Sequence, residues 1–214
     1  LKNWRKPPEP TDFEQLENHQ EKTMKLTAKL LTAAALLTAS ATAMAHSGHA
    51  EGGFTSGLLH PMLGPDHLLA MAAIGFWSVR QSKHMKNATP AFVIGGMILG
   101  ATLAWNGLSL PGVEAGITFS VLVAGILIAT LAKLPTAVGG SLVGAFMLFH
   151  GFAHGAEMPA GATLAAYLAG FSIATLAITL VGRGLGSLML TADSRFSRGV
   201  GGVLAVAGAY LTVV

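Results

Sequence analysis

Six long apolar runs, separated by short connections, are the feature that most limits how this chain can fold. They occupy residues 56–79, 88–108, 115–132, 136–156, 162–181 and 199–214. A helix of about 20 apolar residues is long enough to cross the hydrocarbon core of a bilayer, where a helix satisfies its own backbone hydrogen bonds. The pattern predicts an all-α polytopic membrane protein, with a bundle of six transmembrane helices over residues 56–214.

The composition of the 214-residue chain agrees with a membrane protein and excludes some chemistry. Hydrophobic residues make up 52% and charged residues 11% of the chain, against about 25% charged residues in soluble domains. The 27 glycines suit closely packed transmembrane helices. Because the chain has no cysteine, disulfides, thiolate metal sites and cysteine nucleophiles are excluded.

The segment 24–45 has the features of a cleaved secretory signal peptide. Two lysines precede a short run of Leu, Ala and Thr, and an Ala-x-Ala site ends at Ala45. An uncleaved anchor helix is the alternative, which the shortness of the apolar run disfavours. We expect residues 1–23 to be a disordered upstream extension. Cleavage after Ala45 leaves residues 46–55 as a periplasmic N-terminal segment that contains two histidines.

The basic residues orient the predicted bundle. All the Lys and Arg residues after the signal peptide follow the first, third or fifth apolar run, and they are Arg80, Lys83, Lys86, Lys133, Arg183, Arg195 and Arg198. By the positive-inside rule this side faces the cytoplasm, so the mature N- and C-termini both lie outside. Trp77, Trp105 and Tyr210 are predicted to anchor the helices at the membrane interfaces.

The first apolar run contains the polar stretch LLHPMLGPDHLLAM, residues 58–71. His60 and His67 are seven residues apart and share one face of a helix, with Asp66 beside them. Ionisable residues at this depth face the bundle interior or a cavity, where they mark a functional site. The two prolines of the stretch should bend or open the helix.

A second polar stretch, FHGFAHGAE, ends the fourth apolar run at residues 149–157. His150 and His154 are four residues apart on one helix face, and Glu157 lies one step further along. The fourth helix runs outward, so both stretches lie in the outer half of the membrane and can meet. Four histidines and two carboxylates predict a site for a borderline divalent cation. The carboxylates can be ligands, or can orient the imidazoles.

The mature N-terminus offers two further candidate metal ligands, His46 and His49. Cleavage after Ala45 would leave His46 with a free α-amine beside its imidazole, and the two nitrogens can chelate one metal ion. The segment before the first helix is long enough to fold back over the outer end of the bundle. A tail that merely gathers cations is the alternative.

The two polar stretches together resemble the signature of the HupE/UreJ family of nickel/cobalt permeases. The motifs read His60-Pro61-x-x-Gly64-x-Asp66-His67-x-x-x-Met71 and His150-Gly151-x-x-His154-Gly155-x-Glu157. The resemblance implies a multi-pass protein of the bacterial inner membrane that takes Ni2+ or Co2+ into the cytoplasm as its transported substrate. It also implies no enzymatic activity and no prosthetic group, and it carries His60, Asp66 and His67 over as metal-handling positions.

A haem-binding membrane electron carrier is the alternative function, because histidines on facing helices can ligate haem. It lacks support because the outer half has no Lys or Arg to pair with the haem propionates. A hydrolytic enzyme would need a nucleophile and base pair, which we do not find. The expected partners are the divalent metal ion and membrane lipid, with no nucleic acid. The choice of metal, the energy coupling and the oligomeric state, a homo-oligomer included, stay open.

Overall fold

The computed structural model describes residues 53–213, which are helical apart from short turns and connections. The seven helices of this part are α1 (Gly53–Leu63), α2 (Pro65–Ser78), α3 (Lys83–Trp105), α4 (Val113–Ala129), α5 (Thr136–Ala156), α6 (Leu164–Leu188) and α7 (Ser194–Leu211). The predicted extension, the predicted signal peptide and nearly all of the predicted N-terminal segment lie outside the described residues.

The first apolar run forms two helices, where the sequence predicted one over residues 56–79. Gly64 separates them in an extended conformation, with φ −92° and ψ 110°. Pro65 causes this break, since it has no N–H to donate and disfavours a helical conformation in the residue before it. The carbonyl of Gly64 accepts the N–H of Leu68 at 3.0 Å and so starts α2. The predicted opening of the helix is therefore confirmed at Pro65, whereas Pro61 lies inside α1.

Polar caps set helix ends that the apolar runs did not predict. The Ser82 hydroxyl accepts the N–H of Met85 at 3.1 Å before α3, and the Asp193 carboxylate accepts the N–H of Arg195 at 2.9 Å before α7. Such caps start a helix ahead of its apolar segment. α6 continues past residue 181, where the fifth apolar run was predicted to end, so Arg183 lies inside a helix. Hydropathy locates the part of a helix inside the membrane and leaves its polar ends undefined.

The surface of the bundle suits a lipid environment. Among the described helices, α3, α5 and α6 are long and apolar enough to cross a membrane, and α4 is a shorter apolar helix. Large apolar side chains such as Phe119 and Val203 are exposed, whereas Ser120 and Thr175 are fully buried. This arrangement is the inverse of a water-soluble bundle. The count of six spans stays a prediction, because the first run is split into two helices.

Glycines allow the helices to pack with their backbones in contact. α6 packs along α1 and α2, α3 packs against α5, and α4 packs against α7. At one crossing, a Cβ added to Gly75 would collide with the backbone of Thr179, and a Cβ added to Gly182 would collide with the backbone of Ala72. Small residues at such crossings let transmembrane helices associate without a hydrophobic driving force. The position of α2 against α6 therefore depends on these glycines.

Basic side chains join three helix ends at one end of the bundle. The Arg80 guanidinium donates to the Ser197 hydroxyl at 3.0 Å, and the Arg198 guanidinium donates to the Ala129 carbonyl at 3.1 Å. The end of α2, the end of α4 and the start of α7 therefore meet here. These contacts agree with the predicted gathering of basic residues on one side.

The structure corrects the interpretation of one tryptophan. Trp77 was predicted to anchor the interface, but it is only 4% exposed and its indole N–H donates to the Ala132 carbonyl at 3.0 Å. Trp77 is therefore a core residue that ties α2 to the chain after α4. Trp105 and Tyr210 are exposed, as interface anchors would be.

We expect Gly182→Ala to destabilise the bundle, because the added methyl group would force α6 away from the backbone of α2. Overpacking of this kind costs about 1–3 kcal/mol. Gly184→Ala is the matched control on the same helix, since a Cβ there meets nothing within 4 Å. Thermal unfolding of the two variants in detergent measures the effect. Equal unfolding temperatures for both variants would contradict the proposed role of the crossing.

Candidate metal centre

Histidines from three helices converge at the end of the bundle opposite the basic residues. His60 lies in the last turn of α1, and His67 lies in the first turn of α2. His150 and His154 come from the last two turns of α5, and Glu157 follows directly as its C-cap. Each histidine of the first stretch has its ring centroid within 5 Å of that of a histidine in the second stretch. The predicted meeting of the two stretches is therefore confirmed.

The part of the site nearest the surface consists of His60, His154 and Glu157, which we call the outer triad. One ligand atom from each lies within 4.8 Å of the others, and His60 Nε2 is 2.8 Å from Glu157 Oε2. The side chains of His60 and Glu157 are 29% and 55% exposed. Two imidazoles and a carboxylate are suitable ligands for a borderline divalent cation, and this group is open to an ion arriving from outside the bundle.

Asp66 orients His67. Its Oδ1 atom lies 2.9 Å from His67 Nδ1 and also accepts the backbone N–H of His67 at 2.8 Å. An ionised carboxylate can only accept hydrogen bonds, so Nδ1 of His67 carries the proton. The lone pair of His67 is therefore on Nε2, as in metal sites where a carboxylate fixes the histidine tautomer.

His150 is oriented by a backbone carbonyl. Its Nδ1 donates to the carbonyl oxygen of Phe146, one helical turn earlier, at 2.9 Å. The lone pair of the neutral ring is then on Nε2. His150 is fully buried, and its ring centroid lies 4.9 Å from that of His67. We call His67 and His150 the inner pair.

His154, a member of the outer triad, also lies next to the inner pair. Its ring centroid is 4.8 Å from that of His60 and 4.7 Å from that of His67. The residue is 1% exposed, and the ring stacks on Phe171 of α6 at 5.4 Å. Neither ring nitrogen has a hydrogen-bond partner within residues 53–213. His154 therefore contacts both groups, and its tautomer is not fixed by the protein.

The site concentrates buried polar atoms that have no hydrogen-bond partner among the described residues. They are Nε2 of His67, Nε2 of His150, both ring nitrogens of His154 and the Tyr167 hydroxyl. Each such atom costs about 1–3 kcal/mol in a folded protein, and native structures contain few of them. Several imidazole lone pairs in one place are the donor set that a transition-metal cation requires. The residues therefore fit a metal ion.

Two aromatic residues of α6 complete the wall of the site, and sequence reasoning missed both. Tyr167 is fully buried, as is Phe171, and the Tyr167 ring lies 6.1 Å from that of His60. In the sequence, Tyr167 is a single tyrosine near the start of the fifth apolar run. Helical periodicity within that run does not predict which residues of other helices it contacts. Gly64 also borders the site, since a Cβ there would lie 2.9 Å from His67 Nδ1.

The charge distribution favours a cation at this end. Asp66 and Glu157 provide carboxylates beside the histidines, whereas Arg80 and Arg198 bond at the opposite end. Negative groups in a low-dielectric cleft raise the local concentration of cations. Of the predicted ligands, His46 and His49 lie outside the described residues.

The chain is similar to known proteins over most of its length. Residues 34–211 match the model of a family described as HupE / UreJ protein. Protein HupE of Rhizobium leguminosarum bv. viciae is 41% identical over 187 residues, which cover 86% of this chain and 97% of that relative. No solved structure matches the chain.

Proposed function

The chain belongs to the HupE/UreJ family, a transporter family associated with nickel and cobalt, and on this basis we propose that it carries Ni2+ or Co2+ across the bacterial inner membrane into the cytoplasm. One observation above all supports the proposal: buried imidazole nitrogens that have no hydrogen-bond partner among the described residues lie together at one end of an apolar bundle. The ion is the transported substrate, and the proposal includes no prosthetic group and no catalysis.

The ligand chemistry selects among classes of cation. Imidazole nitrogens favour nickel, cobalt, copper and zinc, whereas Mg2+ and Ca2+ prefer oxygen ligands. His60, His67, His150 and His154 are the proposed nitrogen ligands, and Glu157 is the proposed oxygen ligand. Asp66 acts through His67, since its carboxylate is bonded to the far side of that ring.

The direction of transport follows from the predicted orientation. With the basic end in the cytoplasm, the outer triad opens toward the periplasm and receives ions from there. A membrane potential that is negative inside contributes about 2.3 kcal/mol per elementary charge per 100 mV, or about 4.6 kcal/mol for a divalent ion. At 100 mV this free energy offsets an inward concentration ratio of about 10³ without nucleotide hydrolysis.

We expect His60→Ala and His67→Ala to lower nickel or cobalt uptake at limiting metal about tenfold or more in cells that express the protein, because each removes a nitrogen ligand. His84→Ala is the control, since His84 is exposed near the start of α3. Uptake of radioactive Ni2+ is measured against competing Co2+, Zn2+ and Cu2+, and the amount of protein in the membrane is measured alongside. Uptake at the wild-type rate by both alanine variants would show that the site is not used for transport.

Asp66→Asn should weaken metal binding by about 10–100-fold, the usual cost of losing a group that orients a metal ligand. The neutral amide no longer holds a proton on His67 Nδ1 by charge, so the ring is free to turn its lone pair away. Asp193→Asn is the matched control, because asparagine caps a helix as well as aspartate does. Titration of the purified variants with Co2+ measures the affinity. An unchanged affinity in Asp66→Asn would contradict the orienting role.

A further inference from the structure

His154 is shared by two groups of ligands that differ in their surroundings. Toward the surface it joins His60 and Glu157 in the outer triad. Toward the interior its ring centroid is 4.7 Å from that of His67, which in turn is 4.9 Å from that of His150. The ring of His154 thus lies at the junction of the two groups.

The hydrogen bonds of the rings restrict how each can bind an ion. His67 and His150 each have their Nδ1 proton engaged, by the carboxylate of Asp66 and by the Phe146 carbonyl. Each therefore offers a single lone pair on Nε2, and both Nε2 atoms are buried and have no hydrogen-bond partner in the described part of the chain. A neutral imidazole has one lone pair in total. His154 can consequently bind only one ion at a time, whichever group holds it.

The two groups suit an ion in different states of hydration. The outer triad contains a carboxylate and is partly exposed, so it can bind a cation that keeps several water ligands. The inner pair is more enclosed, since His150 is fully buried and the His67 side chain is 12% exposed. The nearby carboxylate of Asp66 is bonded to the far nitrogen of His67. An ion held there is bound mainly by imidazole nitrogens.

We propose that the ion occupies two stations in succession, first the outer triad and then an inner station formed by His67, His150 and His154. This inference rests on the proposed function. The transfer is a ligand exchange without redox change: the bonds from the ion to His60 Nε2 and to Glu157 break, and bonds to Nε2 of His67 and of His150 form. His154 remains a ligand throughout, so the two stations are never filled together.

Uptake kinetics in proteoliposomes containing the full chain test the outer and the inner station through separate sets of variants. The outer variants are His60→Gln and Glu157→Gln, the inner variants are His67→Gln and His150→Gln, and His84→Gln is the control. We expect the outer variants to raise the KM for Ni2+ about tenfold or more, with Vmax close to that of the wild type. We expect the inner variants to lower Vmax about tenfold or more, because the ion is captured and not passed on.

Co2+ absorption spectra of the purified chains in detergent provide a readout that does not depend on transport. The inner variants should still bind Co2+ at the outer triad. A chain carrying His46→Ala and His49→Ala, which removes the two other candidate histidine ligands, should bind one Co2+. Two Co2+ ions per chain of this variant would overturn the sharing of His154. Thermal unfolding of each variant shows that it is folded, and His67→Gln tests the inner station independently of the fully buried His150.

The outcomes distinguish failure of the two-station proposal from failure of the proposed metal transport. If all four variants raise KM equally and leave Vmax unchanged, there is one combined site, so the two stations are wrong while metal transport stands. If all four transport Ni2+ with wild-type kinetics, metal transport through this site is itself wrong. A higher KM in the outer variants, together with a lower Vmax in the inner variants, supports two stations.

Discussion

The placement of several imidazoles inside an apolar bundle is the constraint on which the rest of the structure depends. In the hydrocarbon core no water is present to satisfy a polar atom, so each buried nitrogen needs a partner from the protein or from a ligand. The bundle provides such partners for one nitrogen of His67 and one nitrogen of His150. Among the described residues it provides no hydrogen-bond partner for Nε2 of His67, Nε2 of His150 or either ring nitrogen of His154. That selective satisfaction distinguishes these rings from ordinary buried histidines, which are hydrogen-bonded.

Close helix packing holds these rings in place. The glycine crossings bring α6 into backbone contact with α1 and α2. The ring of Tyr167 therefore lies beside that of His60, and the ring of Phe171 lies beside that of His154. The crossing of α5 with α3 is also a close backbone contact, since a Cβ on Gly151 would collide with the backbone of Met97 on α3. Because Gly151 is the neighbour of His150, the packing of α5 against α3 fixes the direction in which the histidine face of α5 points.

The sequence predicted the site better than it predicted the helix ends. Histidines spaced four residues apart on one helix necessarily share a face, and alternating helix directions place both polar stretches at one end of the bundle, so the meeting of His60 with Glu157 could be foreseen. The burial of Trp77 could not, because its partner, the Ala132 carbonyl, comes from a segment 55 residues away. The role of Asp66 also depended on the structure, since spacing alone does not distinguish a ligand from a carboxylate that orients one.

The break at Gly64 connects the fold to the proposed path of the ion. On an unbroken helix, seven residues would separate His60 and His67 by about 10 Å along the axis. In the structure the helix is broken between the two residues, and the ring of His154 from α5 lies at similar distances from both, 4.8 Å from that of His60 and 4.7 Å from that of His67. In the proposed path, Gly64 and Pro65 in the first apolar run, together with His154 in α5, place His60 and His67 at consecutive steps of one route.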